Sequence, residues 1–106
     1  MANILYIDTS SNKKILIKLE TQEGIKEVSS QSKVLKSQAA LPLIAKLLKE
    51  NNLDINQVNE IKVAYGSGSF TGLRVGASIA NALGFLLNIP INGKKIGEFV
   101  EPVYNK

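Results

Sequence analysis

The spacing of apolar residues changes along this chain from strand-like to helical patterns, and the order of these patterns restricts the fold more than any other feature. Residues 3–9 hold a nearly continuous apolar run, Ile4-Leu5-Tyr6-Ile7, while residues 13–20 alternate between apolar and mostly charged side chains. The first pattern is typical of a central strand covered on both faces, and the second of a half-buried strand. A weaker strand pattern follows at 24–30, after a turn. The chain is therefore predicted to open with a three-stranded antiparallel meander.

Helical spacing begins at about residue 37. Apolar side chains recur three and four residues apart over residues 37–51, and again over the longer stretch 71–88. An alternating segment at 60–66 separates these two helices, residues 89–92 suit a short last strand, and residues 96–100 suit a helical turn. The predicted order is βββαβα(β). It indicates an α/β fold, with the helices packed on a mixed sheet.

Length and composition favour one soluble domain. The chain has 106 residues, of which 44% are hydrophobic and 21% charged, as in ordinary globular proteins. No apolar run reaches the roughly 18–20 residues that a membrane-spanning helix needs. The N-terminus lacks the basic segment and the cleavage pattern of a signal peptide, so we expect a cytoplasmic protein with no membrane contact.

The sequence contains neither Cys nor His. Their absence excludes disulfides, thiol catalysis, most zinc sites and any histidine acting as a general base. The formal charge of +4 comes from scattered lysines without interleaved aromatic residues. This pattern is typical of a solvated surface, and we expect no direct readout of RNA or DNA.

Both predicted helices carry surfaces that need an explanation. The apolar arc of the first helix spans about 200°, whereas an ordinary surface helix needs only about 100°. The second helix has small residues every four positions, at Gly72, Gly76, Ala80 and Gly84. Glycine inside a helix costs about 1 kcal/mol relative to alanine, so this ridge indicates the close approach of another backbone. The approaching segment could belong to the same domain or to a partner, and the sequence leaves both interpretations open.

A glycine-rich loop, "GSGSFTGLR", joins the strand at 60–66 to the second helix. Its backbone N–H groups could bind an anion, although the phosphate-loop and dinucleotide motifs are both missing. Asp8 follows the first strand, where its carboxylate could hold magnesium or simply stabilise a turn. A phosphate site at this place would be formed by Asp8, Thr9, Ser10, Gly66, Gly68, Ser69 and Thr71.

Three motifs together resemble the TsaB (YeaZ) family, bacterial subunits of the complex that makes threonylcarbamoyladenosine in tRNA. They are Ile7-Asp8-Thr9-Ser10, then Ser37-Gln38 followed by Leu41-Pro42-Leu43-Ile44, and above all the segment from Gly66 to Gly76 with its "GSFTGLR" core. The motifs fall in family order across residues 3–100. The "GSFTGLR" core is the most specific of them.

The resemblance implies the actin-like ATPase, or ribonuclease H-like, fold, whose first half has the order βββαβα. It implies a non-catalytic scaffold without cofactor or metal, in which the phosphate loop is vestigial. It also implies pairing with a TsaD-type catalytic subunit and a TsaE-type ATPase, a homodimer when alone, and only indirect contact with tRNA. The residues expected to contact a partner are Leu41, Ile44, Leu48, Gly72, Leu73, Val75, Gly76, Ile79, Ala80 and Leu83.

The chain departs from the family pattern at three places. It stops at Lys106, where the first half of the family fold closes, so residues 1–106 are expected to form a single half-domain without the second half. Ser67 replaces the proline of the family's Gly-Pro-Gly, and Lys36-Ser37 replaces its His-Ser. Two alternatives stay open: a nucleotide-binding phosphotransfer enzyme that uses Asp8 and the loop at 66–72, and a homodimeric interaction protein unrelated to tRNA.

Overall fold

The computed structural model describes residues 2–10, 14–30, 36–64 and 70–93. The elements in these ranges are β1 (Ile4–Asp8), β2 (Ile15–Thr21), β3 (Gly24–Ser30), α1 (Lys36–Glu50), a short 3-10 helix (Ile55–Gln57), β4 (Glu60–Val63) and α2 (Phe70–Leu87). The predicted βββαβα order is confirmed. The 3-10 helix was not predicted, although Asp54 and Gln57 form a capping box at its start. The helical turn predicted at 96–100 lies outside the described residues.

The described strands form one mixed sheet in the order β3-β2-β1-β4. β2 pairs antiparallel with β1 and β3, whereas β1 and β4 are parallel. Asn3 joins the starts of β1 and β4, because its backbone N–H donates to Asn59 Oδ1 at 2.8 Å and its Nδ2 donates to the Gln57 carbonyl at 2.9 Å. The parallel pairing places the ends of β1 and β4 side by side, next to the predicted phosphate site.

Both long helices cover the same face of the sheet. α1 packs over β2 and β3, α2 packs over β1 and β4, and the two helices contact each other. Strand residues on this face, such as Leu5 and Ile17, are fully buried. β1 is central, as predicted, but among the described residues only one of its faces is fully covered. Ile4 and Tyr6 on its other face are half-buried.

The chain turns back along the sheet after α2. The helix ends at Leu87, and Asn88 adopts a φ of 58°, the left-handed conformation common just after helices. Ile91 then forms a parallel bridge with Ile61, and the N–H of Asn92 donates to the Ile61 carbonyl at 2.8 Å. The short strand predicted at 89–92 is thus a single bridge on the edge of β4.

Within the described part of the chain, neither long helix combines the length and the apolarity needed to cross a bilayer. That residues 1–106 form one half-domain stays a prediction.

Candidate functional site

The predicted phosphate site begins at the end of β1, where Asp8 closes a turn. Asp8 Oδ1 accepts a hydrogen bond from the backbone N–H of Ser10 at 2.9 Å and another from the Ser10 hydroxyl. This arrangement is the local turn that an Asp side chain favours after a strand. Two of the predicted site residues therefore bind each other, and the structure supports the turn-stabilising interpretation of Asp8.

Thr9, between them, is fully buried beneath α2. A Cβ atom added to Gly76 would lie 2.5 Å from Thr9 Oγ1 and 3.2 Å from Val63 Cγ2. The first distance is well inside van der Waals contact, so only a glycine allows α2 to approach the ends of β1 and β4 this closely. Thr9 thus contributes to the packing of α2, and its side chain does not face an open phosphate site.

Four further residues belong to the predicted phosphate site. Gly66, Gly68 and Ser69 lie outside the described residues, and Thr71 belongs to the first turn of α2. The described residues contain no group of three acidic side chains that could hold a metal ion. Phosphate binding at this loop stays a prediction.

The glycine ridge of α2 faces the sheet of its own chain. Ala80 is fully buried, and a Cβ atom on Gly84 would lie 2.6 Å from Ile91 Cδ1. Together with Gly76, these positions show that the close neighbours of the ridge are β1, β4 and the segment that follows α2. Of the two interpretations that the sequence left open, packing within the domain applies to these described ridge positions.

This result bears on four residues of the predicted contact set. Ile44, Leu48, Gly76 and Ala80 are buried within their own chain, and their contact with a partner stays a prediction. Their spacing identified the covered side of each helix, but the cover is the sheet. Gly72 and Leu73 belong to the first turn of α2. Their predicted contacts stay predictions.

The wide apolar arc of α1 divides into a buried part and an exposed part. Ala40, Ile44 and Leu47 face the sheet and are buried. Leu41 is 51% exposed, and Ala45, one turn later on the same flank, is also exposed. The sheet therefore covers only part of the predicted arc, and the excess lies on the surface.

A second apolar flank lies along α2. Val75, Ile79, Leu83 and Leu86 are spaced by four, four and three residues, so they share one flank of the helix. The first three are half-buried, while Leu86 is 75% exposed. Phe85, the preceding residue, points about 100° further round the helix and is 69% exposed. Phe85 and Leu86 were not among the residues predicted to contact a partner, although both are large apolar residues outside the glycine ridge.

We refer to these apolar residues on the two helices as the helical surface. It is formed by Leu41, Ala45, Val75, Ile79, Leu83, Phe85 and Leu86. Exposed large apolar side chains on adjacent helices are typical of a protein interface, and an aromatic residue among them is typical of an anchor. Chemically, this surface can bury apolar area against another protein.

The opposite face of the sheet has a different character. A depression of about 260 Å³ lies there, lined mainly by Tyr6, Asp8, Leu16, Lys18 and Lys62. Lys62 Nζ lies 5.6 Å from the centroid of the Tyr6 ring, a weak cation–π contact, and Lys18 Nζ lies 4.0 Å from a carboxylate oxygen of Glu27 on β3. Lysines and carboxylates are mixed among the described residues of this face, so these residues do not form a basic patch of the kind that binds nucleic acid.

Residues 27–93 match the protein family described as "TsaD: tRNA N6-adenosine threonylcarbamoyltransferase". A relative from Bacillus subtilis (strain 168), named "tRNA threonylcarbamoyladenosine biosynthesis protein TsaB", is 30% identical over 96% of this chain and 49% of its own length. A "tRNA N6-adenosine threonylcarbamoyltransferase" from Nitrosomonas eutropha is 39% identical over 48% of this chain and 15% of its own.

The fold also matches a solved structure, "YeaZ from Pseudomonas aeruginosa". The TM-score is 0.81 at 26% identity, over 90% of this chain and 44% of the YeaZ chain. The mixed sheet with its helices is thus the fold predicted from the sequence. This chain spans about half the length of the Bacillus subtilis TsaB protein and of the Pseudomonas aeruginosa YeaZ chain.

Proposed function

The chain belongs to the TsaB (YeaZ) branch of the TsaD domain family, and we therefore propose that it supports the biosynthesis of threonylcarbamoyladenosine in tRNA as a non-catalytic scaffold. Its partner is a TsaD-type transferase subunit. A TsaE-type ATPase is a further partner, and tRNA is reached only through the complex. The proposal is supported by the names of similar proteins, which are a threonylcarbamoyladenosine biosynthesis protein and a threonylcarbamoyltransferase.

The observation that carries the proposal is the helical surface. Leu41, Phe85 and Leu86 each leave half or more of their area in water. Burying a Leu or Phe side chain completely contributes about 1.5–3 kcal/mol, so three residues at these exposures offer roughly 3–6 kcal/mol to an interface. Contributions of this size are typical of the few anchor residues that dominate protein binding.

The proposed scaffold role agrees with the chemistry of the chain. Histidine and cysteine are absent from the sequence, and the Asp8 carboxylate is engaged by Ser10. Acid–base or nucleophilic catalysis would need an activated side chain, and Asp8 and Ser10 do not supply one. The reacting groups of the pathway therefore belong to the transferase, and this chain contributes a binding surface.

The same surface suits two kinds of partner. The match to the TsaD family over residues 27–93 includes both α1 and α2. Two chains that share this helix pair can associate through equivalent surfaces, as two copies of one chain do in a symmetric dimer. We therefore propose a homodimer when the chain is alone, which the transferase subunit replaces by competing for the same surface.

Charge substitution on the helical surface tests this proposal. Leu86→Glu removes an anchor and brings a carboxylate into the interface. The lost burial alone, roughly 1–2 kcal/mol, should raise the dissociation constant for a TsaD-type subunit about five- to thirtyfold. Leu41→Glu should act in the same direction. The assay is calorimetric titration of the purified subunit, with sedimentation of the chain alone to follow the homodimer.

Ile25→Glu is the matched control. Ile25 is 59% exposed, and it pairs with Glu20 on the face of the sheet away from the helices. The Ile25→Glu substitution therefore makes the same chemical change at a similar exposure, and binding to the TsaD-type subunit should be unaffected. If the folded Leu41 and Leu86 variants bind as tightly as the Ile25 variant, the helical surface is not the interface.

A further inference from the structure

The side chain of Asn92 takes the place of a strand at the edge of β4. Its Oδ1 accepts the backbone N–H of Val63 at 2.8 Å, and its Nδ2 donates to the Val63 carbonyl at 3.1 Å. The main chain turns away at this point, with φ values of 52° at Asn92 and 75° at Gly93. Two successive positive φ values are typical of Asn-Gly in tight turns. The carboxamide therefore satisfies the backbone groups of the last residue in β4.

The same residue is chemically vulnerable. Asn92-Gly93 is the one Asn-Gly pair in the sequence. Because glycine has no side chain, its backbone nitrogen can approach the side-chain carbonyl carbon of a preceding asparagine with little steric hindrance. We propose that Asn92 is a site of non-enzymatic deamidation, and that its two hydrogen bonds to Val63 protect it in the folded chain.

The reaction needs only water as a co-reactant. The Gly93 nitrogen loses its proton and bonds to Asn92 Cγ, while the side-chain nitrogen leaves as ammonia and a succinimide forms. Water then adds to one of the two succinimide carbonyls and opens the ring, giving aspartate or isoaspartate. The two hydrogen bonds hold the Asn92 carboxamide on Val63, so we expect them to open before Cγ turns toward the Gly93 nitrogen.

The product cannot restore the original contact. A carboxylate is an acceptor only, so it gives the Val63 carbonyl no donor and places two oxygen atoms against each other. Val63 also contacts α2, because its Cγ2 lies 3.2 Å from the position of a Cβ on Gly76. Deamidation therefore releases the end of β4 irreversibly, directly before the glycine-rich loop and next to the packing of α2.

The wild-type chain provides the first test. Samples are incubated at mildly alkaline pH with and without unfolding concentrations of urea, and conversion of Asn92 is followed by peptide mass spectrometry. The folded chain should convert about tenfold or more slowly, since reaction requires local opening. Equal rates in the two samples would overturn the proposal that the fold protects Asn92, and no conversion in urea would overturn the modification site.

Asn92→Asp reproduces one product and tests the consequence. Its thermal midpoint should fall by about 4–8 °C, as for a loss of roughly one hydrogen-bond equivalent in a small domain. Amide exchange at Val63 should accelerate. Asn56→Asp adds the same charge at an exposed position and should change neither quantity. An Asn92→Asp variant as stable as this control, with unchanged exchange at Val63, would refute the release of β4.

Discussion

Gly76→Ala tests how tightly α2 approaches the sheet. The new methyl group would lie 2.5 Å from the buried Oγ1 of Thr9 and 3.2 Å from Val63 Cγ2. Overpacking of this kind costs about 1–3 kcal/mol. Alanine in place of glycine stabilises the folded helix by about 1 kcal/mol, because alanine has the higher helix propensity. We therefore expect the free energy of unfolding to fall by about 1 kcal/mol, as the difference between these two terms.

Urea unfolding followed by circular dichroism measures this change. Ser78, exposed on the same helix, supplies the reference: Ser78→Ala should be about 1 kcal/mol more stable than Ser78→Gly, because only propensity differs there. Adding Thr9→Ala to Gly76→Ala should relieve the overlap, so the two substitutions should be coupled favourably by about 0.5–3 kcal/mol. If Gly76→Ala is stabilising by as much as the Ser78 pair differs, and no coupling appears, the close contact with Thr9 does not exist.

Two further predictions concern the strand ends and the loop. Asn3→Ala should lower the free energy of unfolding by about 0.5–1.5 kcal/mol, because it removes the hydrogen bond from the carboxamide to the Gln57 carbonyl. Urea titration measures the difference, with Asn56→Ala in the segment between α1 and β4 as the control. Calorimetric titration of the chain with ATP and magnesium should show no binding if the phosphate loop is vestigial, and clear binding that Asp8→Asn abolishes would favour the nucleotide-binding alternative.

The local elements of this fold follow from the sequence. Apolar residues at Ile15, Ile17 and Leu19 alternate with polar or half-buried ones, and the structure buries all three on one face of β2. The helical periods likewise predicted α1 and α2 to within a residue or two. Such patterns are predictable because each helix or strand must bury one of its faces, and the spacing of apolar residues is the same whichever element covers that face.

Contacts between distant parts of the chain could not be predicted in the same way. The glycine at position 76 indicated a close neighbour, but the neighbour is Thr9, which is 67 residues away along the chain. Identifying it requires knowing that β1 and β4 are adjacent and parallel. The role of Asn92 depends on the same strand order, because its side chain binds the exposed edge of β4.

The two unusual features of the helices therefore have different causes. A glycine ridge allows a helix to lie close to a neighbouring segment. At Gly76 and Gly84 the neighbouring segments belong to the same chain. The exposed apolar residues have another cause: Leu41, in the wide apolar arc of α1, is 51% exposed, and Leu86 on α2 is 75% exposed, so the sheet covers neither of them fully. Exposed apolar residues of this kind are typical of a binding surface. A substitution at Gly76 consequently tests the fold, because the new side chain meets its own sheet before it could meet a partner. A charge at Leu86 tests binding, because this side chain is already 75% exposed in the folded chain.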